Sequence, residues 1–170
     1  MKTIQIHKHK INSIERKHPW IFSGAIQSDV SEITDGEIVT VLDNKKNFLA
    51  RGHFQHATIS VRILSFEDTE LDQAFFNEKI QNAINLRKKL NLIRADSNIC
   101  RLIHGEGDSL PGLIVDYYNG VAVIQCHSIG MYNSVELISE ALKNGLKDEL
   151  TAVYSKSSDT LPQRAEGKDG

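Results

Sequence analysis

Between Leu64 and Leu71 the hydrophobic period of the chain changes, and the change limits what each part can fold into. Before it, Ile59-Ser-Val-Arg-Ile63 alternates strictly, the pattern of a half-buried strand whose successive side chains face opposite ways. Residues 3–6, 36–42, 47–52 and 58–64 are short runs rich in Ile, Val and Leu. Turn chemistry separates them, as in Thr34-Asp-Gly36 and Asp43-Asn-Lys-Lys-Asn47. A short helical stretch, residues 12–17, leads into His18-Pro-Trp-Ile-Phe22. Several short strands at this spacing predict a small barrel or sandwich.

After the change, residues 71–92 place Phe76, Ile80, Ala83, Ile84 and Leu90 near helical spacing, with Asp72 as the N-cap. Strand-like runs follow at 99–104, 113–117 and 121–126. Between the last two, Asn119-Gly120 tolerates the positive φ angles of a type I′ hairpin. A second helix is predicted over about 131–146, burying Val135, Ile138, Leu142 and Leu146, with Gly145 near its end. A last strand is predicted at 151–155. The fold class is α+β, a β-rich domain followed by a small α+β sandwich, without a repeating βαβ pattern. The expected boundaries are 1–68, 69–160 and a polar tail over 161–170.

Charge divides along the same line. Residues 1–66 carry nine Lys and Arg against six Asp and Glu, a net of +3, whereas residues 67–170 carry eleven against sixteen, a net of −5. Five of the seven histidines lie in the first part. A mildly basic, histidine-rich module on an acidic remainder suits a polyanionic partner for the first; scattered surface charge is the alternative. No apolar run approaches the roughly 20 residues that cross a bilayer, so no membrane partner is expected. The first ten residues alternate apolar and polar and do not form a secretory signal. The two cysteines, Cys100 and Cys126, make no disulfide framework, and a reduced, cytoplasmic setting is expected. Both sit in apolar strands, where a cysteine behaves as a small hydrophobe.

Arg101-Leu-Ile-His-Gly-Glu-Gly-Asp-Ser-Leu-Pro-Gly-Leu-Ile-Val-Asp116 holds a glycine-rich loop between apolar runs. A phosphate-cradling loop works by feeding into a helix N-terminus, where free N–H groups and the dipole meet the anion. Here a strand and then a hairpin follow. The structural reading is a turn that uses Gly105, Gly107 and Pro111-Gly112 for backbone geometry. Glu106 and Asp108 are candidate acid–base carboxylates without an evident nucleophile or base beside them. His7-x-His9 and His53-x-x-His56 are candidate metal ligands without an evident third ligand. The stronger candidate is the basic and aromatic group Lys8, Lys10, Arg16, Lys17, His18 and Trp20, together with Arg51 and His53. Lys and Arg neutralise phosphates, and Trp or His stacks on an unpaired base. Core packing is the alternative for Trp20.

Four segments carry a family resemblance. Lys17-His-Pro-Trp-Ile-Phe-Ser-Gly-Ala25 resembles the helix-to-strand segment of a PUA domain, an RNA-binding pseudo-barrel, and Leu49-Ala-Arg-Gly-His53 resembles its following strand. The motif from Arg101 to Asp116 is similar to the middle domain of bacterial large-subunit (23S) rRNA cytosine-5 methyltransferases. Tyr154-Ser-Lys-Ser-Ser-Asp159, with Arg164 and Glu166-Gly167, is similar to that domain's exit segment.

The resemblance implies an N-terminal PUA-like pseudo-barrel, a middle α+β domain, structured rRNA as partner and S-adenosylmethionine (SAM) as cofactor of the full-length parent. The family's catalytic domain carries an Asp-Pro-Pro-type motif, and the only prolines here are Pro19, Pro111 and Pro162. No catalytic or cofactor residue is therefore expected in this chain, and its own C-terminal catalytic domain is expected as a further partner beyond it. A homodimer is a further expectation. The residues expected to contact phosphate are Lys17, His18 and Arg51, then Lys10 and Arg16. A non-catalytic protein-interaction module that docks on a methyltransferase domain is the alternative, suggested by the acidic second half.

Overall fold

The computed structural model of the chain describes residues 2–94, 98–158 and 160–161. They fall into two units, Met1–Glu70 and Leu71–Gly170. Asp159, Arg164, Glu166 and Gly167 of the exit motif, and residues 162–170 of the tail, lie outside the described residues.

The first unit is one curled sheet. Its strands are β1 (Lys2–Gln5), β2 (Trp20–Phe22), β3 (Ile38–Leu42), β4 (Phe48–Phe54) and β5 (Ile59–Ser65), in the spatial order β1-β3-β4-β5-β2. β1 runs parallel to β3, and the other pairs are antiparallel. The two ends of the sheet meet. Gln27 N–H donates to the Gln5 carbonyl at 2.8 Å, and His7 N–H donates to the Ala25 carbonyl at 3.0 Å. This closure makes a pseudo-barrel around Ile4, Ile6, Ile21, Val39, Val41, Ala50, Phe54, Val61 and Ile63. Gly52 lies at a register shift between β4 and β5. A Cβ there would stand 2.1 Å from the Arg62 carbonyl oxygen, so only glycine permits the approach. A 3₁₀ turn, Lys8–Lys10, precedes the short helix α1 (Ile11–Glu15).

In the second unit, helix α2 (Gln73–Lys89) starts where expected: the Asp72 side chain accepts a hydrogen bond from Phe75 N–H at 3.0 Å. The sheet is β6 (Ile99–His104), β7 (Leu113–Tyr118), β8 (Val121–Cys126) and β9 (Ala152–Ser155), in that order. Asn119 and Gly120, at φ 45° and 91°, form the expected hairpin turn. β8 and β9 are parallel, joined through α3 (Ile129–Asn133) and α4 (Val135–Leu146). Helices α2 and α4 pack on each other. Alternate strand residues such as Leu113, Val115, Ala122 and Ile124 are fully buried. The fold class is α+β, as read from the sequence.

Two expectations change. The helix predicted over 131–146 is two helices. Its start moves forward because the Ser128 hydroxyl accepts from Met131 N–H at 3.3 Å, and it breaks at Ser134, whose hydroxyl donates back to the Gly130 carbonyl at 2.9 Å. Leu90 is not part of the buried stripe of α2; it is 59% exposed at the helix C-cap, while Arg87 is buried one turn earlier.

Candidate nucleic-acid interface

The C-terminal end of α1 carries Arg16, Lys17 and His18 in succession. Lys17 N–H donates to the Ile14 carbonyl at 2.8 Å and His18 N–H to the Ser13 carbonyl at 3.0 Å. Those two bonds define a Schellman C-cap with Lys17 in the left-handed position, at φ 62°. Glycine is the usual residue there because a Cβ is strained by about 1–2 kcal/mol. A lysine held in that conformation places an ammonium at the exit of the helix, and it lies 4.6 Å from the centroid of the Phe66 ring. Pro19 follows and prevents the helix from continuing.

The Lys17 position allows a direct check. Lys17→Gly and Lys17→Ala both remove the ammonium, but only glycine relieves the backbone. The glycine variant is expected to be more stable than the alanine variant by about 1 kcal/mol. Urea unfolding followed by the emission of Trp20, the only tryptophan, measures the difference; equal midpoints would remove the αL cap from the argument.

Beyond the cap, Trp20 and Phe22 are the first and last residues of the edge strand β2, His18 precedes it by two positions, and the three rings form one aromatic face. His18 and Trp20 meet edge to face at 5.8 Å between centroids, and Trp20 and Phe22 at 6.4 Å. The His18 Nδ1 faces both the N–H and the carbonyl of Trp20 at 3.2 Å, which fixes the imidazole. Between this face and α1 lies a cleft of about 330 Å³, lined by Lys10, Ser13, Ile14, His18, Trp20 and Phe22 among others. Trp20 is half-buried, and Phe22 keeps 46% of its surface exposed.

Lys10, Arg16, Lys17 and His18 are exposed, Lys10 at the N-cap of α1 and the other three at its C-terminal end. Arg51 lies inside. Its side chain is 10% exposed, and its guanidinium donates to the Asp68 carboxylate and the Thr69 carbonyl. His53, read with the basic group, is also buried; desolvation and the Arg62 charge lower its pKa to about 4, so it is neutral near pH 7. Phe22 and Ser13 were not read as site residues. The i, i+2 spacing of His18, Trp20 and Phe22 was the available signal for the first of them.

The other sequence candidates resolve locally. The His7 and His9 rings stack at 5.5 Å, and His56 Nδ1 pairs with Asp35 at 2.8 Å. Among the described residues no group of three or more His, Cys, Asp or Glu is placed to hold a metal ion. Nor is any helix among them long and apolar enough to cross a membrane. In the loop, Gly105 and Gly112 do adopt positive φ, at 49° and 87°, but Gly107 does not; a Cβ there meets only the His104 ring at 3.7 Å. Cys126 is fully buried, which pushes its thiol up to about 11.

Fold and site define a PUA-like domain followed by an α+β unit, and residues 4–66 match the family model of the PUA-like domain. Over 162 residues, 94% of the chain, the sequence is 35% identical to ribosomal RNA large subunit methyltransferase I of Yersinia pseudotuberculosis and of Yersinia pestis. The chain spans about 40% of the length of these relatives. Two solved structures share the fold. One is a candidate SAM-dependent methyltransferase from Streptococcus mutans, with a TM-score of 0.76 and 17% identity over 92% of this chain and 41% of that one. The other is a candidate methyltransferase complexed with SAH, at 0.78 and 17% over 94% and 41%.

Proposed function

We propose that this chain is the RNA-binding and substrate-positioning portion of a SAM-dependent rRNA methyltransferase. One observation carries the reading: Lys10 and His18 line a cleft walled by the rings of Trp20 and Phe22, with Arg16 and Lys17 exposed at the C-terminal end of α1. Cations meet phosphates, and the rings meet bases. The match to the PUA-like domain and the 35% identity to rRNA methyltransferases support it. Lys17 and His18 are the principal contacts, with Lys10 and Arg16 beside them. Arg51, held by Asp68, acts by fixing β4 rather than by reaching phosphate.

Residues 1–68 form the RNA-binding domain in this reading, and residues 69–160 position substrate for a catalytic domain that binds SAM. The methyl acceptor is C5 of a cytosine, a point that mass spectrometry of rRNA nucleosides from a strain lacking the gene would check.

Affinity for structured rRNA fragments is expected to fall steeply with salt, because neutralised phosphates release counterions. Each lysine–phosphate contact contributes roughly 0.7–0.9 to the slope of log K against log salt. Lys10→Ala with Lys17→Ala should therefore lower that slope by roughly 2 and weaken all RNA sequences alike. Fluorescence anisotropy between 50 and 200 mM salt would measure it; an unchanged slope would reject the assignment of these two residues.

The second unit favours another role for itself, as a protein-docking module. Residues 71–170 carry eleven Lys and Arg against thirteen Asp and Glu, a net of −2, and Ile99, Tyr118 and Tyr154 are 65%, 47% and 61% exposed on its sheet. RNA binding by residues 1–170 that survives charge-reversal on the second unit would agree with this division of labour.

A further inference from the structure

We propose that Lys8, Lys45 and Lys46 form a second phosphate-binding patch, on which the backbone of a paired RNA stem rests. The inference rests on the RNA-binding reading above. None of the three lysines lines the cleft between α1 and β2. The topology creates the patch. β1 runs parallel to β3, with Lys2 opposite Val39 and Gln5 opposite Leu42, so the segments that follow the two strands emerge at one end of the barrel. Ile6 N–H donates to the Leu42 carbonyl at 3.0 Å and holds the two exits side by side. Lys8 follows β1 within the 3₁₀ turn, and Lys45 and Lys46 follow β3; all three are exposed. Carboxylates take the other end, where Asp35 and Glu37 lead into β3 and Glu32 pairs with Lys2 at 3.9 Å.

The turn over residues 43–47 directs its charge outward. The Asp43 carboxylate accepts from Lys45 N–H at 2.7 Å, and from Asn47 N–H and Nδ2 at 2.8 Å, so it binds the backbone of its own turn. Among the described residues, no carboxylate forms an ion pair with Lys8, Lys45 or Lys46. Lys46 is held at φ 67°, in the left-handed region where glycine or asparagine is less strained. Lysine adds nothing to that turn except its ammonium, and Lys17 sits in the same conformation at φ 62°. An ammonium is a point charge without a planar match to a base edge, so such a patch holds phosphate and reads no sequence. Lys10 ends the 3₁₀ turn that Lys8 begins. The patch therefore continues the basic rim at α1, and one polyanion covers both. A paired stem brings phosphates on two strands, one row for the rim and one for the patch.

A labelled RNA hairpin and an unpaired strand of the same length would be titrated with the 170-residue chain, and anisotropy read across a salt series. Lys45→Gln with Lys46→Gln removes two cations and keeps long polar side chains. It is expected to lower the slope of log K against log salt for the hairpin by roughly 1.5, and hairpin affinity at low salt by about tenfold or more. Affinity for the unpaired strand should change by less than about twofold. Lys45→Gln with Lys46→Gly, which suits the φ of the turn, should give the same loss, so strain at position 46 cannot mimic it. Lys2→Gln is the control for net charge and should leave the slope as it is. A double variant with the parent's slope, where Lys10→Ala with Lys17→Ala still lowers it, would overturn the patch and leave the RNA-binding reading standing. So would a fall of the same size per lysine from Lys2→Gln, or equal losses for hairpin and strand. No affinity of the parent chain for either RNA at low salt would instead reject RNA binding itself, and the patch with it.

Discussion

Asp108→Ala is expected to destabilise the second unit by about 3–5 kcal/mol, although Asp108 lies in a glycine-rich loop that looks like a ligand site. The Asp108 carboxylate is 6% exposed and receives both guanidinium nitrogens of Arg87, at 2.5 and 2.7 Å. It also accepts from His104 N–H at 2.6 Å, while Arg87 Nε donates to the Arg101 carbonyl at 3.1 Å. One buried ion pair thus ties the last turn of α2 to β6 and to the 3₁₀ turn Gly105–Asp108. Removing the carboxylate leaves a buried cation with no counter-charge, and that uncompensated charge is the source of the loss. Arg87→Met combined with Asp108→Ala removes the charge as well, and should be less destabilised than Asp108→Ala alone. Arg101–Asp116 is the control. It is also bidentate, but Arg101 is 46% exposed, so Arg101→Ala should cost no more than about 1 kcal/mol. Urea unfolding followed by circular dichroism decides. A loss below 1 kcal/mol for Asp108→Ala, or strict additivity in the double variant, would sink the account.

This pair also shows where sequence reading stops. Asp108 was visible as a carboxylate in a loop, and the missing helix after the loop was enough to reject a phosphate cradle. Arg87 was not visible as its partner, because the two are 21 positions apart and nothing local links a helix residue to that loop. Elements whose signals are local were legible: the Asp72 cap, the Asn119-Gly120 hairpin and the alternation of β5. Those decided by tertiary contacts were not. The break at Ser134 needs the Gly130 carbonyl, and the closure of the barrel needs Gln5 to meet Gln27. The exposure of Lys10, Arg16, Lys17 and His18, which sit within nine residues of one another, was legible from their polarity. Arg51 shares their chemistry and not their exposure, because period-two strand logic does not announce that Asp68 will fold back over it.

His53 supplies the second large effect, a loss of stability in mild acid confined to the first unit. Its ring is 4% exposed on β4, opposite Arg62 on β5, and its Nδ1 has no hydrogen-bond partner. Burial first, and the Arg62 charge second, lower the pKa from 6.5 to about 4. The unfolded chain takes up the proton near pH 6.5, where the folded chain does not. Stability is therefore complete above pH 6.5, declines by about 1.4 kcal/mol per unit as pH falls, and levels off near pH 4. By pH 5 the loss is about 2 kcal/mol, before the carboxylates begin to titrate appreciably. His53→Met keeps an apolar side chain of similar size and cannot take up a proton. Its unfolding free energy should be nearly level between pH 6.5 and 5, where the parent falls. Trp20 emission isolates the first unit in this measurement, since no tryptophan lies in the second. If both proteins lose stability at the same rate over that interval, the buried neutral imidazole is not the cause. The same measurement bears on the interface. Acid that charges His53 unfolds the barrel that presents it. RNA affinity is therefore expected to collapse near pH 4, and His53→Met should move the collapse to lower pH.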